Sequence, residues 1–143
     1  MDWAIGVRIM RHRADSITEI QMPSSAAECS RLRKVINRLA SAALHNPCAV
    51  ADVELAVGEA FSNAVKHGKR NAKVSVRVAA KPNRELAVEM AYPGLKFDTK
   101  VTYPKNVRKA TGGFGRYIMQ QVLDGMEYSF RNGHTTLRMT KRR

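Results

Sequence analysis

The sequence has few cysteines and no long apolar run. Its two cysteines, Cys29 and Cys48, have neither the spacing of metal ligands nor the density of a disulfide framework, so we expect both to be buried, reduced thiols. No apolar stretch approaches the roughly 20 residues that a membrane helix needs. Residues 1–10 lack the continuous apolar centre of a secretion signal, so the predicted compartment is the cytoplasm.

Acidic residues are also scarce, with 12 Asp and Glu against 25 Lys and Arg, and the formal net charge is +13. Most of this excess lies in residues 71–143, which hold fifteen basic and five acidic side chains. Such a balance suits a nucleic acid, an acidic protein or a polyphosphate ligand. Aromatic residues make up only 6% of the chain and offer no stacking platform for single strands, so nucleic acid ranks behind a polyphosphate.

What the sequence does contain is the pattern of one domain. A chain of 143 residues, 44% of them hydrophobic, is long enough to bury one core. Helical and alternating periods predict the following elements: strand 17–22, helix 25–43, helix 50–67, strands 74–78 and 86–90, helix 114–123, and strands 126–131 and 135–140. This order predicts an α+β fold, a two-layer sandwich with helices on one face of a mixed sheet.

The second predicted helix has a polar face made of chemically specific residues. At about 100° per residue, this face lies opposite an apolar arc and holds Asp52, Glu59, Asn63, Lys66 and His67. The plain interpretation is the solvated face of an amphipathic helix. A carboxylate and a carboxamide one turn apart also suit phosphate chemistry, because the Asn63 oxygen can bind Mg²⁺ and Glu59 can accept a proton from an attacking hydroxyl.

Three glycines surround the start of the third helix, in the run Gly112, Gly113, Phe114 and Gly115. Amides at a helix N-terminus bind phosphate, and glycines let the backbone approach an anion closely. A flexible turn is the alternative, and no Gly-Lys-Ser follows, so this is not a Walker loop. Residues 96–116 hold six basic side chains and one acidic one, a positive lid that suits a triphosphate.

Residues 54–68 read Glu-Leu-Ala-Val-Gly-Glu-Ala-Phe-Ser-Asn-Ala-Val-Lys-His-Gly and resemble the N box of the GHKL (histidine-kinase-like) ATPases. Together with the glycine loop and the order of elements, the resemblance covers residues 17–141. It is greatest to the small bacterial anti-sigma-factor serine/threonine kinases. It implies a histidine-kinase-like ATPase domain over residues 17–143, with residues 1–16 left as a docking arm or a disordered extension.

The resemblance implies a site for ATP and Mg²⁺. Glu59 would be the general base, Asn63 the Mg²⁺ ligand, and Lys66 and His67 would lie beside the phosphates or the lid. The residues implied to contact ATP are Asn63, Lys66, His67, Tyr92, Gly94, Phe97, Gly112, Gly113, Phe114, Gly115 and Thr135. The implied activity is phosphorylation of an anti-anti-sigma protein by a homodimer that also binds a sigma factor, a way of regulating transcription by partner switching.

One position departs from the family pattern. The first glycine box of the family usually begins with an aspartate that accepts a hydrogen bond from the adenine amino group, and here that position is Tyr92, two residues before Gly94. Losing a buried, charged acceptor costs roughly 1.5 to 3 kcal/mol, or about one to two decades in affinity. Two alternatives therefore stay open: a partner-binding regulator with a weak or absent nucleotide site, and a nucleic-acid binder.

Overall fold

The computed structural model describes residues 6–12, 15–94 and 114–143. Within these ranges the chain forms one six-stranded sheet with three α-helices against one of its faces. The elements are β1 Gly6–His12, β2 Asp15–Pro23, α1 Cys29–Leu44, α2 Pro47–His67, β3 Lys73–Lys81, β4 Glu85–Pro93, α3 Phe114–Val122, β5 Gly125–Arg131 and β6 His134–Arg142. The predicted α+β sandwich is confirmed.

The strand order is β1-β2-β3-β4-β6-β5, and every pairing among the described strands is antiparallel. The predicted mixed sheet is therefore wrong. The reason lies in the connection between β2 and β3, which consists of two helices joined by a short loop. Two such helices run antiparallel and return the chain to the end of the sheet that it left, so β3 runs opposite to β2.

β1 has no counterpart among the predicted elements. Its backbone pairs with β2 along its whole length, from Gly6 opposite Gln21 to His12 opposite Asp15. The described part of the N-terminal extension thus forms an edge strand of the sheet. Its apolar alternation is interrupted by glycine and charged residues, which an edge strand tolerates because one of its faces meets water.

The start of α2 is fixed by a side-chain cap. Asn46 Oδ1 accepts hydrogen bonds from the backbone nitrogens of Cys48, at 3.1 Å, and Ala49, at 3.3 Å. Pro47 occupies the first turn, where a backbone N–H would have no partner within the helix. The absence of this N–H in proline therefore costs no hydrogen bond. The helix therefore begins at Pro47, earlier than the predicted start near residue 50, because the Asn-Pro pair that ends one helix also begins the next.

Ser25 and Glu28 have the spacing of a capping box, but only half of the box is formed. Ser25 Oγ accepts a hydrogen bond from Ala27 N at 3.4 Å and caps a short 3₁₀ turn, Ala26–Glu28, that leads into α1. The Glu28 carboxylate instead pairs with Arg31 at 3.2 Å. The Ser25 hydroxyl thus acts as a cap, while the Glu28 carboxylate forms an ion pair with Arg31.

The core lies between the helices and one face of the sheet. α1 packs on β3 and β4, and α2 packs on β4 and β6. The largest buried side chains of the core include Leu32, Ile36, Val57, Phe61, Leu86, Met90, Leu137 and Met139. Both cysteines are free, but Cys29 is half-buried and Cys48 is exposed in the first turn of α2, so the prediction that both are buried is wrong. Among the described helices, none combines the length and apolar character of a membrane span.

Candidate functional site

The polar face of α2 is partly covered by α3. Glu59 and Asn63, one turn apart, are each half-buried, whereas Lys66 and His67 are exposed in the last turn of α2. α3 packs directly on α2. A face whose carboxylate and carboxamide are both half-buried is not a plain solvated face, so the arrangement favours a site.

Gly115, the second residue of α3, lies against the Glu59 carboxylate. A Cβ atom at Gly115 would be 2.5 Å from Glu59 Oε2 and 3.4 Å from its carboxyl carbon. The shorter distance is too close for a real Cβ, so any larger residue at position 115 would force the end of the Glu59 side chain to shift. The first amides of a helix also carry a partial positive charge. Glycine at position 115 therefore brings a proton acceptor beside a helix start suited to an anion.

Asn63 belongs to a polar cluster with Tyr92, Arg116 and Tyr128, which we call the tyrosine cluster. Burial raises the pKa of Tyr128, while Arg116 and a side-chain hydrogen bond with Asn63 act in the opposite direction. Burial also raises the pKa of Tyr92, Tyr128 adds to that rise, and Arg116 opposes it. Both phenols therefore stay protonated near neutral pH, as neutral groups that can donate one hydrogen bond.

Tyr92 and Thr135 are neighbours on adjacent strands. They lie directly opposite each other in the pairing of β4 with β6, and their exposed fractions are 3% and 2%. Thr135 Oγ1 has no hydrogen-bond partner among the described residues. Buried hydroxyls are normally paired, so this oxygen is free for a ligand group. The structure thus brings together the two residues implied to lie at the adenine.

Gly68 and Gly94 join the end of α2 to the end of β4. A Cβ atom at Gly94 would lie 2.9 Å from Gly68 Cα, so both positions need glycine for this close approach. Lys69 N donates to Pro93 O at 2.9 Å, and Gly94 N donates to Gly133 O at 3.0 Å. The helix end, β4 and the β5–β6 turn meet here and place Tyr92 beside α2.

Asp52 does not join the site, although it shares the polar face of α2. Its carboxylate pairs with Lys141 Nζ at 2.9 Å. The same ammonium donates to the Val122 carbonyl at 2.7 Å, at the end of α3. The first half of the polar face therefore ties α2 to β6 and α3, and only the second half faces the start of α3.

Several predicted site residues lie outside the described ranges. They are Phe97, Gly112 and Gly113, together with the lid lysines and arginines between residues 96 and 109. Phe114 begins α3, and its side chain is likewise outside them. Sequence reasoning missed Tyr128. The alternation of β5 was the available signal, because Tyr128 pairs with the core residue Leu137 and so shares its face.

These residues fit a nucleotide with a magnesium ion. Gly115 lets the Glu59 carboxylate lie beside a helix start, Asn63 offers a carbonyl oxygen, and the Thr135 hydroxyl has no partner among the described residues. No group of three or more His, Cys, Asp or Glu in the described ranges could hold a metal ion. A magnesium ion would accordingly depend on Asn63, water and phosphate oxygens, the ligand set that Mg²⁺ commonly takes with nucleotides.

The chain belongs to the histidine kinase-like ATPase domain family, whose model matches residues 22–141. The predicted resemblance is therefore confirmed. Among curated proteins, the chain is similar to the serine-protein kinase RsbW of Bacillus subtilis, with 29% identity over 143 residues that cover 92% of this chain and 88% of the relative. RsbW of Bacillus pumilus is 28% identical over 139 residues, with 87% and 85% covered.

Proposed function

We propose that the chain is an ATP-dependent serine/threonine protein kinase of the anti-sigma type, which phosphorylates an anti-anti-sigma protein and regulates transcription by partner switching. The observation that carries this proposal is the contact between the Glu59 carboxylate and Gly115 at the start of α3. Glu59 lies one turn from Asn63 on α2. The relatives named serine-protein kinases support it. The proposed role would take place in the cytoplasm, with a sigma factor as the second partner.

At the phosphate end, each residue has one role. Asn63 would hold Mg²⁺ together with the nucleotide phosphates, and the bound ion would neutralise charge that develops on the phosphoryl oxygens. The first amides of α3 would bind phosphate oxygens, as amides at a helix N-terminus commonly do. Glu59 would accept the proton of the attacking serine or threonine hydroxyl. Lys66 and His67, exposed at the end of α2, would lie toward the phosphates.

At the adenine end, the Tyr92 hydroxyl would replace the usual carboxylate, with the Thr135 hydroxyl on the neighbouring strand. The Tyr92 phenol is neutral and can accept a hydrogen bond from the adenine amino group through its oxygen, more weakly than a carboxylate does. The Thr135 hydroxyl supports a second contact because no described residue satisfies it. We expect ATP to bind, with an affinity below that of relatives that keep the aspartate.

The test is phosphoryl transfer from labelled ATP, with Mg²⁺, to a panel of anti-anti-sigma proteins. Glu59→Gln keeps the shape of the side chain but removes its basicity, so transfer should fall by about 10² to 10⁴-fold. Glu54→Gln is the matched control on the same helix, because Glu54 contacts Asn37 at 3.0 Å and Arg33 at 3.7 Å, outside the site. Undiminished transfer by Glu59→Gln would show that Glu59 is not the general base.

A second function is supported by Tyr92: a regulator that binds its partner with a weak or absent nucleotide site. In this case the chain would sequester a sigma factor and show no transfer to any hydroxyl. Partner binding without ATP, together with no calorimetric signal at millimolar ATP and Mg²⁺, would favour it over the kinase.

A further inference from the structure

Three hydroxyls lie side by side on the core face of the sheet, at the adenine end of the site. Thr135 is directly opposite Tyr92 in the pairing of β4 with β6. Tyr128 is opposite Leu137 in the pairing of β5 with β6, and Leu137 is two residues after Thr135, so Tyr128 and Thr135 share one face. Because β4, β6 and β5 are adjacent in the sheet, the three hydroxyl-bearing side chains are neighbours.

Arg116 brings a positive charge from α3 to these hydroxyls. It follows Gly115 in the first turn of α3 and is half-buried, with its Nη1 atom shielded from water. Burial raises the pKa of both phenols, Tyr92 and Tyr128, and the guanidinium of Arg116 opposes that rise, so its charge lies near both of them. A charge shielded from water acts more strongly on its neighbours than an exposed one.

Adenine and guanine differ at the edge that such groups recognise. Adenine presents the N6 amino group, a hydrogen-bond donor, whereas guanine presents the carbonyl oxygen O6, and both bases carry an acceptor at N7. A carboxylate would select adenine, because it accepts from the amino group and repels the carbonyl oxygen. The neutral phenol of Tyr92 does not make this distinction, since its oxygen accepts a hydrogen bond and its proton can be donated.

We propose that the site binds guanine at least as well as adenine, and that Arg116 is the residue that favours guanine by attracting O6 and N7. The inference rests on the proposed nucleotide site and adds GTP as a second phosphoryl donor. The forked N–H donors of an arginine match the two acceptors of guanine. Adenine offers one acceptor and one donor at the same edge, so the guanidinium meets the hydrogens of its amino group. The hydroxyls of Tyr92 and Thr135 suit either base.

The purely structural interpretation is that Arg116 only stabilises the packing of the two phenols. Two observations favour a ligand. Thr135 Oγ1 is buried and has no hydrogen-bond partner among the described residues, although buried hydroxyls are normally paired. Arg116 also follows Gly115, which contacts the Glu59 carboxylate, so the first turn of α3 reaches both ends of the site. A structural role would affect ATP and GTP equally, whereas base recognition affects GTP alone.

Calorimetry of the wild-type protein with three nucleotides, each with Mg²⁺, provides the first test. The dissociation constant for GTP should be equal to or lower than that for ATP. Inosine triphosphate keeps O6 and N7 of guanine but lacks its N2 amino group, so its dissociation constant should be within about threefold of that for GTP. Inosine triphosphate that binds about tenfold more weakly than GTP would overturn the role of Arg116, because the N2 amino group would then be the group recognised.

Arg116→Met provides the second test, because it keeps the apolar stem and removes the charge. It should raise the dissociation constant for GTP about tenfold and change that for ATP by less than about twofold. Arg138→Met is the matched control, since it removes the same charge from an exposed position on β6 and should leave both constants in the wild-type ratio. Arg116→Lys keeps the charge without the fork and should retain an intermediate preference. Circular dichroism establishes that each variant is folded.

The outcomes distinguish this inference from the proposed kinase activity. If ATP binds and is used for transfer while GTP binds about tenfold more weakly, the guanine inference is overturned and the kinase stands. If GTP binds as tightly as ATP but neither nucleotide supports transfer, the inference stands and the kinase does not. An equal loss of both affinities in folded Arg116→Met would overturn the assignment of Arg116. Absence of binding by both nucleotides at about 1 mM would overturn both proposals.

Discussion

The two ends of the candidate site are held in different ways. At the phosphate end, Glu59 and Asn63 are half-buried on a 21-residue helix, and a glycine on a second helix makes room for the carboxylate. At the adenine end, Tyr92 and Thr135 are almost fully buried in neighbouring strands of the sheet. The phosphate end thus offers a charged side chain and helix amides to a ligand, and the adenine end offers buried side chains with two neutral hydroxyls.

Because of this difference, phosphoryl transfer and nucleotide recognition should depend on different residues. A change at the phosphate end should lower the rate of phosphoryl transfer while the protein stays folded, because those side chains are only half-buried. A change at the adenine end should alter nucleotide affinity together with stability, because its side chains also form part of the core. The following predictions test that separation.

After the loss of the proposed base Glu59, removing the proposed magnesium ligand should have the largest effect. We expect Asn63→Ala to lower transfer by about 100-fold at millimolar Mg²⁺, with partial recovery at higher Mg²⁺. The substitution also removes the side-chain interaction of Asn63 with Tyr128. Tyr128→Phe is therefore the control, since it weakens the same interaction but keeps the Asn63 oxygen, and it should retain most of the activity. Equal losses in both variants would show that Asn63 acts only through the tyrosine cluster.

Adding one methyl group at the start of α3 should have the next largest effect. Gly115→Ala forces the Glu59 carboxylate to move, because the new Cβ would lie 2.5 Å from Oε2. A displacement of about 1 Å in a catalytic group costs up to about 100-fold, so we expect a loss of roughly 30-fold in transfer. The control is Gly58→Ala on α2, where the nearest atom is Arg33 Cδ at 3.5 Å, an ordinary contact. That variant should keep full activity.

Changes at Tyr92 should act on affinity and selectivity. Tyr92→Phe keeps the ring but removes the hydroxyl, and losing one neutral hydrogen bond of about 1 kcal/mol should raise the dissociation constant for ATP about fivefold. Tyr92→Asp restores an acceptor that suits adenine and repels the guanine carbonyl. It should therefore increase the preference for ATP over GTP by about tenfold or more, measured by competition binding. Unchanged nucleotide binding in both variants would show that the adenine ring does not contact Tyr92.

The smallest effect should appear at alkaline pH. The pKa values of Tyr92 and Tyr128 are raised above the ordinary 10.0 in the folded protein, chiefly by burial. The folded state therefore holds protons that the unfolded chain releases, and stability from these groups is complete below pH 10 and falls as the pH rises above it. Urea unfolding from pH 8 to 11 should show this decline, and a shallower one in Tyr92→Phe. An identical slope in the variant would contradict the burial argument.

Local patterns in the sequence predict much of this structure. The hairpin turns follow local residue preference, because Asn83, Asn132 and Gly133 adopt positive φ angles of 62°, 54° and 76°, which their residue types favour. The polar face of α2 was visible from helical spacing alone. The tyrosine cluster was not, because it depends on how α3 and β5 pack beside β4. The antiparallel sense of β2 and β3 was equally hidden, since it follows from how two helices pack together.

Titration calorimetry of the protein with ATP, in the presence and absence of Mg²⁺, tests the central claim most directly. The account predicts saturable binding of one nucleotide per chain, with a dissociation constant below about 1 mM. Binding should weaken when EDTA removes Mg²⁺ and in Asn63→Ala, while Glu54→Gln should bind as the wild type does. No heat of binding at millimolar ATP and Mg²⁺, from protein with an intact circular dichroism spectrum, would contradict the account.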